Sequence, residues 1–142
     1  MPDHDNDLVY RWVDHTAELE LRIEAGSEEG VFEEALAALA ELLRERTSEG
    51  LSPEAARREV AAAAPDRPAL LAEWLSELVY LAETEGLIPE TLERLELGSS
   101  ELEATVAGPL GSPPHLVKAV TYHRLDMREE DETWRARVIL DV

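Results

Sequence analysis

The chain has 142 residues, the length of one ordinary domain, so we expect a single domain over residues 1–142 with a flexible segment at residues 1–7. Its 32 acidic and 13 basic residues give a formal net charge of −19, which argues against direct binding of DNA or an RNA backbone, and the absence of cysteine excludes disulfides, thiolate nucleophiles and cysteine-based zinc sites. No apolar stretch approaches the ~20 residues of a membrane span and the N-terminus lacks a signal-peptide core, so we expect a cytoplasmic protein without a membrane partner.

The beginning of the chain has the pattern of two strands and a helix. Residues 8–25 predict a strand, a break near residues 14–16, and a second strand in which apolar and charged residues alternate. Residues 26–46 predict an amphipathic helix, because Ser27 is a suitable N-cap, Glu28 and Glu29 fall in the first turn, and apolar residues follow at helical spacing.

The rest of the chain predicts one more helix among short strands. A short strand over residues 57–64 ends at Pro65, and a second helix runs between Asp66 as its N-cap and Gly86. Four period-two segments follow at residues 87–97, 101–110, 115–129 and 133–142, which predict a meander. Two helices among many strands predict an α+β fold, with two main helices packed on a largely antiparallel or mixed β-sheet.

Standard nucleotide and hydrolase motifs are absent from the sequence. A phosphate-binding loop requires a lysine after a glycine, whereas Lys118 follows Val117. Neither a GxSxG nucleophile elbow nor an HExxH helix occurs. The sequence therefore contains no standard motif of a P-loop NTPase, a serine hydrolase or a zincin.

A short acidic segment, VDHTAELEL at residues 13–21, is the first candidate site. Asp14, Thr16 and Glu18 would share a face if the backbone stayed extended, and carboxylate oxygens are ligands for Mg²⁺, Ca²⁺ or Mn²⁺. The competing interpretation is an exposed strand face that carries acids because the whole chain is acidic. His15 is, by residue type alone, more often structural than a ligand.

The second candidate is Lys118, the only lysine in a chain with twelve arginines. A strand would put Lys118 and Tyr122 on one face and His123 on the other. The lysine ammonium is a compact charge that the arginine guanidinium does not mimic. One residue is too few for a statistical argument, so the competing interpretation is that the only lysine stands at this position by chance.

Together these segments resemble the archease family from near Tyr10 to Val142. The blocks that carry the resemblance are DHTAELEL, EEGVFEEALAALAELL, PALLAEWLSELVYLAETEGLIP, VKAVTYHRLDM and WRARVILDV. The resemblance implies an accessory protein, not an enzyme, that promotes guanylylation and multiple turnover of the RtcB-type RNA ligase in tRNA splicing and RNA repair. It implies the ligase as partner, and tRNA only indirectly through the ligase.

The resemblance also implies site residues. The family's metal site falls here on Glu18, Asp141 and the carbonyl of Val142, with Asp14 as a further candidate ligand; Ca²⁺ is the first expectation, and Mg²⁺ or Mn²⁺ are alternatives. Glu18 replaces the family's Asp, a change that Ca²⁺ sites tolerate better than Mg²⁺ sites. The implied functional patch consists of Asp14, His15, Lys118, Tyr122 and His123.

One structural consequence and two alternative functions follow. If Glu18 and Asp141 hold one cation, the strands that carry them must lie side by side. The first alternative is a metal-dependent phosphohydrolase or nuclease that uses the same carboxylates, with Lys118 stabilising phosphate charge. The second is a chaperone-like binding module, which would need an exposed apolar surface.

Overall fold

A computed structural model describes residues 9–15, 17–45, 47, 50–113 and 116–142, and of Asp14 and His15 it describes the backbone. The elements in chain order are β1 (Val9–His15), β2 (Glu18–Ala25), α1 (Glu28–Glu45), β3 (Ala55–Ala63), α2 (Arg67–Glu85), β4 (Thr91–Leu97), β5 (Glu101–Pro109), β6 (Ala119–Glu130) and β7 (Thr133–Asp141). The predicted strands and helices are confirmed. The predicted flexibility of residues 1–7 falls outside the described residues.

The strands form two antiparallel sheets. The four-stranded sheet has the order β1-β2-β7-β6, and the three-stranded sheet has the order β3-β5-β4. The α+β fold class is confirmed, but the single meander predicted for the last four strands is wrong. The physical reason is that β3 and β4 occupy both edges of β5, so β6 finds no free edge there and pairs with β7 instead.

Local capping determines where the helices begin and where α2 ends. The backbone N–H of Gly30 donates to the Ser27 hydroxyl over 3.0 Å at the start of α1, and that of Ala69 donates to the Asp66 carboxylate over 2.9 Å at the start of α2. Gly86 ends α2 with a φ of 73°, a conformation that glycine adopts at little cost. Both predicted N-caps are confirmed.

One face of the four-stranded sheet packs against the helices. Leu21 and Ile23 of β2 and Val138 and Leu140 of β7 are buried in the same core as the leucines of α1 and α2. Trp74 is fully buried, and its indole N–H donates to the Phe32 carbonyl over 3.0 Å. Among the helices that the structure describes, none combines the length and the apolar composition that a membrane span requires.

The other face of this sheet points away from the helices, and we call it the outer face. It carries the alternate residues of the two central strands, namely Glu18, Glu20, Arg22 and Glu24 on β2, and Arg135, Arg137, Ile139 and Asp141 on β7. Carboxylates predominate at one end of these strands and guanidinium groups at the other. The candidate site lies at the carboxylate end.

Candidate functional site

Two carboxylates face each other at the start of β2 and the end of β7. Glu18 and Asp141 are direct partners in the antiparallel register, so their side chains leave the sheet on the same face. Both residues are partly exposed. The prediction that these strands lie side by side and bring Glu18 to Asp141 is therefore confirmed.

A third segment reaches the same end of the sheet through backbone hydrogen bonds. The Lys118 N–H donates to the Asp141 carbonyl over 2.7 Å, and the Val142 N–H donates to the Ala17 carbonyl over 3.1 Å. Lys118 is exposed and directly precedes β6. Glu18, Asp141, Val142 and Lys118, which are widely separated in sequence, are thus gathered at one end of the sheet.

Of the two neighbouring residues Asp14 and His15, only His15 is the direct partner of Glu18 across β1 and β2. The chain reverses between β1 and β2, and Ala17 has a φ of 63°, so the backbone does not stay extended from Asp14 to Glu18. The register pairs His15 with Glu18 and Asp14 with Leu19. The sequence placed Asp14 and Glu18 on one face only if the backbone stayed extended, and that condition is not met. The side chains of Asp14 and His15, together with Thr16, lie outside the described residues.

Tyr122 and His123 lie where the β6–β7 pairing is interrupted, between Thr121 and Asp126. The Tyr122 hydroxyl donates to the Glu73 carboxylate of α2 over 2.8 Å, and this bond, followed by partial burial, raises the pKa of Tyr122 above its ordinary value. The His123 N–H donates to the Thr121 hydroxyl over 3.2 Å, and His123 is exposed. The structure therefore ties Tyr122 to α2, whereas the carboxylate pair lies on the outer face.

The paired carboxylates are the residues at this end of the sheet that could serve as cation ligands. Like charges directly opposite each other on neighbouring strands are destabilising, and within the described residues no arginine or lysine side chain pairs with Glu18 or Asp141. The described residues include no group of three or more His, Cys, Asp or Glu side chains placed to hold a metal. The available donors are therefore two carboxylates and the Val142 carbonyl, all oxygen, which suits a hard cation.

A second charged feature of the outer face was missed by the sequence analysis. Arg22, Arg135 and Arg137 lie at the opposite end of β2 and β7 from the carboxylate pair, together with arginines of β1 and β6. The only sequence signal is the alternation of arginine with apolar residues in these strands. Strand pairing decides which arginines face one another, and the alternation within a single strand does not predict that pairing.

Comparison with known proteins identifies relatives along nearly the whole chain. The model of the Archease protein family (MTH1598/TM1083) matches residues 10–142. Protein archease of Methanosarcina barkeri is 32% identical, with 94% of this chain and 95% of the relative covered. Protein archease of Methanothermobacter thermautotrophicus is 33% identical, with 80% of this chain and 84% of the relative covered.

Two solved structures share the fold. The solution structure of Methanobacterium thermoautotrophicum protein 1598 superposes with a TM-score of 0.67 at 28% identity, over 94% of this chain and 98% of that one. The crystal structure of a Thermotoga maritima protein, described as an archease and possible chaperone, superposes with a TM-score of 0.63 at 21% identity, over 92% and 94% of the two chains. The arrangement of two helices and two sheets is therefore shared with experimentally determined folds.

Proposed function

The chain belongs to the archease family, and from that premise we propose that it is an accessory activator of an RtcB-type RNA ligase in tRNA splicing and RNA repair. It promotes guanylylation of the ligase and multiple turnover, and it does not seal RNA itself. A net charge of −19 supports an indirect relation to tRNA, because a long nucleic-acid backbone is repelled by such a chain. The partner is therefore the ligase, and tRNA is reached through it.

The observation that carries the proposal is the meeting of three separate segments at one end of the four-stranded sheet. The register brings Glu18 to Asp141, and the hydrogen bond from Lys118 to the Asp141 carbonyl brings the only lysine beside them. Opposite charges at a partly exposed end of the sheet form a surface suited to contact a partner's charged active site.

We further propose that Glu18, Asp141 and the Val142 carbonyl hold a divalent cation, with Ca²⁺ as the first candidate and Mg²⁺ or Mn²⁺ as alternatives. The cation would offset the repulsion between the two carboxylates and supply a positive centre at the contact with the ligase. Glutamate at position 18 extends the carboxylate by one methylene relative to aspartate. Ca²⁺ accepts about six to eight oxygen ligands in flexible geometry, so it accommodates this change better than Mg²⁺.

The test measures formation of the ligase–GMP adduct over several turnovers, with and without this protein. We expect the intact protein to raise turnover and both Asp141→Asn and Lys118→Ala to lose most of that effect. Lys118→Arg should restore little, because a guanidinium is bulkier than an ammonium. Asp131→Asn, at the turn on the other end of β6 and β7, is the matched control and should activate normally.

Three outcomes separate the possibilities. Unchanged ligase turnover with the intact protein would refute the activator role, whereas normal activation by both site variants would refute the site alone. Metal-stimulated phosphate release from RNA or nucleotides by the isolated protein would favour a phosphohydrolase or nuclease. Calorimetric titration with Ca²⁺ tests the cation independently of the ligase, and Asp141→Asn should weaken that binding while Asp131→Asn should not.

A further inference from the structure

The outer face contains a groove of about 520 Å³ at the end opposite the carboxylate pair. Its lining includes five arginines, Arg11, Arg22, Arg128, Arg135 and Arg137. The acidic residues of the lining are Glu24 and Asp126, and Glu20 and Glu130 also form ion pairs with its arginines, so five positive charges stand against four negative ones. The groove is therefore locally positive in a chain whose net charge is −19.

The register places these guanidinium groups opposite one another. Arg11 pairs with Arg22 across β1 and β2, and Arg22 pairs with Arg137 across β2 and β7. In the neighbouring row, Arg135 of β7 pairs with Arg128 of β6. Directly opposed like charges destabilise a sheet, and three consecutive strands carry them here. An anion that bridges the row would remove this cost.

Internal carboxylates neutralise only part of this charge. Arg22 bonds Glu20 over 2.6 Å, and Arg135 and Arg128 are paired with acids of β2 and β6. Within the described residues no carboxylate forms an ion pair with the Arg11 or Arg137 side chain, although Asp126 is the register partner of Arg137 on β6, and the Arg137 Nε donates to the Arg124 carbonyl over 2.9 Å. That bond holds the guanidinium in place without neutralising it.

We propose that this groove binds a compact diphosphate-bearing anion, of which inorganic pyrophosphate is the simplest. Planar guanidinium groups bind phosphate oxygens in pairs, and the groove has the volume of a small-ligand site, for which about 300–1,000 Å³ is usual. The ion pairs of Arg128 and Arg135 are largely exposed, so exchanging their carboxylates for a phosphate costs little, whereas Glu20, the partner of Arg22, is fully buried.

A long polyanion fits the same surface less well. A strand of RNA would extend beyond the groove onto a surface that carries the rest of a strongly negative charge, and it would be repelled there. The groove also lies apart from the carboxylate pair, because Arg22 is four residues along β2 from Glu18, or about 13 Å at roughly 3.3 Å per residue. The two sites can therefore be tested separately.

The experiment titrates the full chain with pyrophosphate by calorimetry at low ionic strength without divalent cations. The test variant combines Arg11→Gln and Arg137→Gln, which removes the two lining arginines that form no ion pair with a carboxylate of the described residues. Its control combines Arg57→Gln and Arg94→Gln on β3 and β4 of the other sheet, which changes the net charge equally. We expect the test variant to raise the Kd about tenfold or more and the control to change it less than about twofold.

Other results would overturn the proposal. They are the absence of saturable binding, equal weakening by both double variants, and tighter binding of a short RNA strand or an acidic peptide at the same ionic strength. A second measurement covers the case in which the test variant does not fold. Pyrophosphate should shift the backbone amide resonances of Arg22 and Arg137 in the intact chain, and shifts confined to other regions would refute the site.

Discussion

At the scale of single residues, neighbours across the sheet decide what a side chain can do. Asp141 is one of 32 acidic residues, and its type alone indicates a solvated carboxylate. Its register with Glu18 and the hydrogen bond from the Lys118 backbone to its carbonyl place it beside a second carboxylate and the backbone of the only lysine. The same holds for the arginines of the outer face. Strand pairing places each of them opposite an arginine of a neighbouring strand.

Tyr10 offers a prediction for pH at this scale. Its hydroxyl donates to the Glu41 carboxylate of α1, and burial, followed by that hydrogen bond, raises the pKa of Tyr10 above its ordinary value of about 10. The phenol is therefore held protonated more strongly in the folded state than in the unfolded state. The resulting stability is fully present below pH 10 and is lost as the pH rises above it.

We expect Tyr10→Phe to lower the free energy of unfolding by about 1 kcal/mol at pH 8, because one exposed hydrogen bond to a charged acceptor is lost. The difference between the variant and the intact chain should shrink as the pH is raised above 10. Urea denaturation at pH 8, 10 and 11 measures it. Tyr80→Phe, at an exposed tyrosine of α2, is the control. The prediction is contradicted if the difference in free energy of unfolding between Tyr10→Phe and the intact chain grows as the pH rises.

At the scale of elements, short-range chemistry determines where each helix begins. Ser27 and Asp66 each accept a hydrogen bond from the backbone three residues later, and Gly86 takes the left-handed conformation that ends α2. The arrangement of the strands depends more on distant partners. Strand β5 pairs with β3 and β4 on its two edges, and the pairing of β6 with β7 is interrupted between Thr121 and Asp126. Helix boundaries were therefore more predictable than strand partners.

The cap of α2 carries a stability prediction. Asp66→Ala should reduce the free energy of unfolding by about 1 kcal/mol, because the Ala69 N–H loses its acceptor at the start of the helix. Asp66→Asn, which keeps an oxygen acceptor, should be close to the intact chain. Thermal or urea denaturation measures both. If the two variants were equally destabilised, the loss would have to come from the negative charge and not from the cap.

At the scale of the whole molecule, charge is unevenly distributed. The chain carries a net charge of −19, yet the outer face of one sheet has an acidic end and an arginine-rich groove. Such an excess of one sign destabilises the compact state through self-repulsion, and salt screens that repulsion. The large apolar side chains exposed in the described part are only Val9, Tyr80 and Tyr122, so charge dominates the described surface.

We therefore expect added salt to stabilise the protein. The urea midpoint should rise between low and moderate NaCl concentration, with a chelator present so that divalent cations do not contribute. At an acidic pH where the net charge approaches zero, the same salt change should have a smaller effect. A midpoint that falls with salt at neutral pH would mean that ion pairs, such as that between Arg57 and Glu93, outweigh the general repulsion.

The elements and the helix caps were predictable from the sequence, because alternation, helical spacing and capping depend on residues close together in the chain. The family was predictable from the ordered blocks that resemble it. It also identified Glu18, Lys118 and Asp141 as candidates through resemblance. Strand pairing confirmed the meeting of Glu18 and Asp141 that the resemblance had implied. It also established that the strands divide into two sheets and that Arg11, Arg22 and Arg137 form a row, neither of which was predicted. The physical reason is that strand pairing joins backbone groups far apart in sequence, and a shift of one residue in register would move each side chain to the other face.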